Sequence, residues 1–175
     1  MRTHLWSCLV LWTLLAGCDS APPQPAQSNA AKSTDSPLVI VVGDETAEEV
    51  VRRLDTASVR TSTDLTDQAE AALVIVAQDA TQGASAVHKE LVAQLRSRDA
   101  EHFLWLMTRS SQIEDQELLE LEELEARELL NEHGLPGDGI PFAFDSEDAP
   151  VDPSYGCLKG WDDVNRHVAS FQEPE

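Results

Sequence analysis

The sequence predicts an α/β fold: a three-layer domain with a parallel sheet and flanking helices. Two observations predict it. Continuous apolar, β-branched runs recur along the chain, each the mark of a strand buried on both faces. Segments of helical period separate them, and that alternation implies parallel strands joined by right-handed crossovers. A length of 175 residues with 42% apolar content fills one core and not two.

The elements follow in order. Leu38-Val39-Ile40-Val41-Val42 is the first strand, closed by Gly43, and the folded part (38–175) begins there. Ala47 to Leu54 reads as a helix. Ala72-Leu73-Val74-Ile75-Val76-Ala77 is a second buried strand, with a helix from Ala84 to Arg96 behind it. Phe103-Leu104-Trp105-Leu106-Met107 is a third. These three strands are expected side by side. A long acidic helix comes next, then a short strand over Ile140 to Phe144, and a final amphipathic helix from Trp161 to Phe171. The domain contains no internal repeat.

The acidic helix carries its own punctuation. Ser111 and Glu114 have the spacing of a capping box, and Gly134 fits the left-handed closing position, with Leu135 folding back on Leu130. At helical spacing Leu118, Leu119, Ala126, Leu129 and Leu130 share one arc of about 120°. Glu122 falls near its centre, so it lies at the rim of the core or carries a raised pKa. The carboxylates from Glu114 to Glu132 face Arg127 alone. They form either a solvated surface or a steering surface for a basic protein partner.

Charge bounds the partners. Asp and Glu number 32 against 12 Lys and Arg, a formal net charge of −20. Such a chain repels phosphate backbones, which argues against nucleic acid as a ligand.

Residues 1–17 have the form of a signal peptide. Arg2 supplies the positive start, Leu5 to Leu15 is an apolar run too short to span ~30 Å of hydrocarbon, and small residues precede Cys18. Leu15-Ala16-Gly17-Cys18 resembles the lipobox of bacterial lipoproteins. That resemblance implies cleavage before Cys18 and its lipidation. Two or three acyl chains, at ~0.8 kcal/mol per buried CH₂, then anchor the chain to a membrane of the bacterial envelope, facing the periplasm or exterior. A plain secretory signal or short membrane anchor is the alternative. Residues 18–37, with Pro22, Pro23, Pro25 and Pro37 and no apolar period, read as a disordered tether. Cys157 is then left single. It is either a small half-buried residue or one half of an intermolecular disulfide.

Glu114 to Pro141 (EDQELLELEELEARELLNEHGLPGDGIP) resembles the segment of elongation factor Tu, a translational GTPase, that follows its guanine-recognition motif. The similarity extends more weakly to Ala72–Asp79, His88, Ser146 and Trp161, so it covers the G domain and neither β-barrel domain. It implies a reduced, P-loop GTPase-like G domain. The family's functional residues do not carry over. In the P-loop frame starting at Gly43, Glu48 stands at the second Gly, Glu49 at the Lys and Val50 at the Ser/Thr, which sets carboxylates against a triphosphate. The guanine-reading N-K-x-D is Thr108-Arg109-Ser110-Ser111. The stretch from Gly43 to Ala72 is too short for both switches and their strands. Phosphoryl transfer is positioning and electrostatics, so a non-catalytic, cofactor-free pseudo-GTPase is expected. Residual guanine-nucleotide binding is the competing reading, and another three-layer fold, such as a thioredoxin-like one, is a third.

Other chemistry is faint. His88, His102, His133 and His167 have no metal spacing with one another or with Cys157. Asp145, Glu147, Asp148 and Asp152 resemble a hard-cation loop lacking the Gly and Glu of an EF-hand, or form a solvated acidic loop.

Overall fold

In the computed structural model six strands form one sheet in the order β2-β1-β3-β4-β5-β6, and every neighbouring pair is parallel. They are β1 (Leu38–Gly43), β2 (Val59–Thr61), β3 (Ala71–Asp79), β4 (Phe103–Thr108), β5 (Phe142–Phe144) and β6 (Leu158–Lys159). The helices are α1 (Ala47–Arg53), α2 (Ala86–Ser97), α3 (Gln116–Glu132) and α4 (Gly160–Ser170). The structure describes residues 37–56, 58–62, 65, 71–149 and 156–172. The expected signal peptide, Cys18 and the expected tether through residue 36 lie outside the described residues.

The fold is α/β in three layers. Alternate residues of the central strands enter the two apolar layers of this one domain, one on each face of the sheet. Ile40, Val42, Val74, Val76, Trp105, Met107 and Phe142 pack under α2 and α3, against Leu91, Leu95, Leu119 and Leu130. Val39, Val41, Leu73, Ile75, Leu104 and Leu106 face α1 and α4, against Val50, Val164 and Val168. The central strands are therefore buried on both faces, which is why their sequences read as unbroken apolar runs. β1, β3 and β4 are adjacent and parallel, as expected. β2 and β6 are additional: both are edge strands of two or three residues, without a buried position to mark them.

α3 departs from the sequence reading at two points. Its cap is Asp115, whose carboxylate accepts the Glu117 N–H at 2.9 Å; Ser111 sits instead in the 3₁₀ turn Ser110–Gln112, so Ser111 and Glu114 form no capping box. Its buried face is also rotated. Leu119, Ala126, Leu129 and Leu130 are buried as expected, but Leu118 is 45% exposed, while Glu123 and Arg127 are buried. The rotation lets the Arg127 guanidinium lie 4.0 Å over the Phe142 ring and donate to the Gly137 carbonyl at 2.6 Å. The C-terminus closes as read. The Leu135 N–H reaches the Leu130 carbonyl at 3.0 Å, and Gly134, in the left-handed region, donates to Asn131 at 3.0 Å.

Candidate functional site

The strand order reverses between β1 and β3, and in open parallel sheets the crevice beyond the strand C-termini at such a reversal is where ligands bind. Here the chain's own carboxylates occupy it. Asp44, directly after β1, accepts the Asp79 N–H at 2.6 Å with Oδ2 and the Thr46 N–H at 2.8 Å with Oδ1. Asp79, at the end of β3, is almost fully buried. Its Oδ1 accepts from the Thr81 N–H at 2.9 Å and the Thr81 hydroxyl at 2.7 Å, and its Oδ2 takes the Arg109 guanidinium. Burial alone would raise the Asp79 pKa. The bonds from Thr81 and the charge of Arg109 outweigh that and leave it below the ordinary carboxylate value.

The loop after β4, Thr108-Arg109-Ser110-Ser111, is held in the same way. Arg109 sits in the left-handed region at φ 55°, unusual for a side chain larger than Asn. A clasp from the far side holds it there: the N–H groups of Arg109 and Ser110 both donate to the Asp145 carboxylate, at 2.9 and 3.0 Å, and the Ser110 hydroxyl adds a third bond at 2.6 Å. Arg109 also approaches Glu45 at 3.5 Å, and the charge of Asp79 raises its pKa. The neighbouring pocket beyond β1, about 410 Å³, is bordered by Asp44, Glu45 and Glu48. Arg109 is already neutralised by Asp79, and the carboxylates around it oppose a polyphosphate.

His88 is spent on structure. Its Nδ1 accepts the Ser85 N–H at 3.0 Å, and its Nε2 faces the Ala77 carbonyl at 2.9 Å. His133 Nδ1 lies 2.9 Å from the Leu129 carbonyl, and His102 and His167 pack on the Phe171 ring. Asp145 is the clasp just described, Glu147 and Asp148 are exposed, and Asp152 lies outside the described residues. Among the described residues no group of three or more His, Cys, Asp or Glu side chains could hold a metal ion. Burial, followed by the Glu123 charge, pushes the Cys157 thiol up to about 11. Trp161, in the first turn of α4, is partly buried against the core on that face, with the Arg53 guanidinium 5.5 Å over its ring.

Glu122 meets both halves of its expectation. It is half-buried at the rim, and burial, with Glu125 adding a like charge, raises its pKa. The solvent face of α3 holds what the charge pattern hid: Leu118, Leu121 and Leu124 are 45%, 48% and 60% exposed. They lie at i, i+3 spacing with Glu117, Glu120, Glu125 and Glu128 beside them. Sequence reasoning missed Asp44, Asp79 and Arg109 as a group. Their signal was position, since each directly follows or ends a strand on the ligand-binding edge of the sheet. No helix among the described residues is long and apolar enough to cross a membrane. No family model matches the chain.

Proposed function

We infer that this is a lipid-anchored envelope lipoprotein whose domain, a degenerate relative of the elongation factor Tu G domain, acts by binding a basic protein partner and not by turning over nucleotide. The observation that carries the binding reading is the acid-flanked leucine stripe on α3. Three leucines about half exposed on one helix face are unusual on a surface this highly charged, and contiguous exposed apolar groups mark interaction sites. Their carboxylate border favours a partner of opposite charge and rejects acidic ones. The lipobox supports the anchor at Cys18, and the filled crevice at Asp44, Asp79 and Arg109 supports loss of the nucleotide.

A photo-crosslinking residue at position 121 of the full chain, expressed in its own host, tests the reading. A discrete adduct with a basic protein, lost in the Leu118→Ser/Leu124→Ser variant and unaffected by GTP, is the expected result. A thermal shift specific to guanine nucleotide with Mg²⁺ would overturn it, since a ligand at 100 times its Kd adds ~2.7 kcal/mol. Cys18→Ala should move the chain out of the membrane fraction or leave an uncleaved precursor.

A further inference from the structure

A groove of about 500 Å³ lies between the β3–α2 loop and the first turns of α3, and it opens beside the leucine stripe at Leu118. Its floor is apolar: Ala80 and Ile113 are 2% and 7% exposed. Glu114, Asp115 and Glu122 line it as well, with Thr81 and Gln112. Resting on the reading above, we propose that this groove is the socket for one lysine or arginine side chain of the basic partner, its charge on Glu122 and its methylene stem on Ala80, Ile113 and Leu118.

The construction around Glu122 argues for a built feature. Gln78 reaches it from within the sheet; this amide is fully buried on β3. The Trp105 indole N–H, which can only donate, gives a 3.0 Å bond to Gln78 Oε1. That fixes the amide the other way round, with Nε2 directed at Glu122 Oε2 over 3.5 Å. Gly83, at the φ of +70° that its turn requires, lies beside the same carboxylate. The half-buried carboxylate thus has a buried, oriented amide directed at it. It faces Glu125 on its own helix, and among the described residues no basic side chain pairs with it. A desolvated carboxylate left without a cation gains more from an incoming one than a solvated carboxylate does. A long cationic side chain suits the site because its stem covers apolar floor while its head meets the acid. Glu120, by contrast, lies on the open face, with the Gln116 amide at 2.7 Å.

A double-mutant cycle tests the pairing. The probe is a short amphipathic helical peptide with a leucine face, glutamines elsewhere and one central arginine; its twin carries citrulline, a neutral isostere, at that place. Binding to the full chain in nonionic detergent is read by fluorescence anisotropy against empty micelles. The arginine peptide should bind about tenfold better than the citrulline peptide to the wild type and to Glu120→Gln, and equally well to Glu122→Gln. Melting curves should show Glu122→Gln folded and at least as stable as wild type. Equal loss in Glu120→Gln and Glu122→Gln would mean a diffuse acidic field and would overturn the socket. Binding that depends on Leu121 but shows no arginine–Glu122 coupling would overturn the socket and leave the leucine-stripe reading standing. Failure of both peptides to bind the wild type would overturn both.

Discussion

Arg127 donates from Nε to Glu123 Oε1 over 2.8 Å, one turn back on α3, and the two residues are 6% and 7% exposed. Arg127 Nη2 also lies 2.6 Å from the same oxygen, and Nη1 caps the Gly137 carbonyl at 2.6 Å. Asn131 Oδ1 accepts the Gly137 N–H at 2.9 Å. The helix therefore grips the Pro136-Gly137-Asp138 turn that leads into β5.

Removing one partner of this pair should cost far more than removing both. Glu123→Ala leaves a buried guanidinium without its counter-charge and should cost about 3–5 kcal/mol. The double variant Glu123→Leu/Arg127→Met should recover much of that, although the Gly137 cap stays lost. Urea midpoints decide it; equal losses in single and double variants would contradict the pairing.

Gly43 should be irreplaceable. It has φ +146°, and a Cβ would collide with the Ala77 carbonyl on the neighbouring strand. Backbone strain and clash together put Gly43→Ala at on the order of 3 kcal/mol. Thermal unfolding of this variant, unchanged within a degree, would show that β1 does not turn here as described.

Two carboxylates should drive stability in opposite directions with pH. The folded Asp79 lies below its ordinary 3.8, so its contribution is present above that value and lost as pH falls through the folded one. Glu122 lies above its ordinary 4.5, so it penalises folding at neutral pH, and the penalty fades as pH falls toward 4.5. Asp79→Asn should therefore melt lower than wild type at neutral pH, with the gap closing below about pH 4. Glu122→Gln should melt at least as high as wild type at neutral pH and lose any advantage toward that same acid range. A gap for Asp79→Asn that stays constant through acid would refute the first assignment.

Cys157 should be inert. With its thiol at about 11 and half-buried, thiolate is scarce at neutral pH, and thiolate is the reactive species. Peptide-resolved alkylation should be many-fold slower in the folded chain than in urea. A dimer that dissolves with reductant and disappears in Cys157→Ser would restore the intermolecular disulfide.

The central strands were legible residue by residue because a strand buried on both faces needs apolar residues in succession, and that requirement is local. Leu38 to Val42, Leu73 to Ala77 and Phe103 to Met107 carried it, and the helices between them implied the parallel sheet. The closing of α3 at Gly134 and Leu135 was local too. Its rotation was not. Leu118 was read as buried and Glu123 as solvent-facing, because a helical wheel ranks residues by polarity and cannot see that Phe142 and the Gly137 carbonyl offer a guanidinium somewhere to lie. β2 and β6 left no pattern, since short edge strands bury too little to require one. The Asp44, Asp79, Arg109 and Asp145 cluster joins loops 30 to 36 residues apart, and Gln78 reaches Glu122 across 44. Contacts of that range are set by which strand ends the sheet brings together, and only the folded sheet order supplies that.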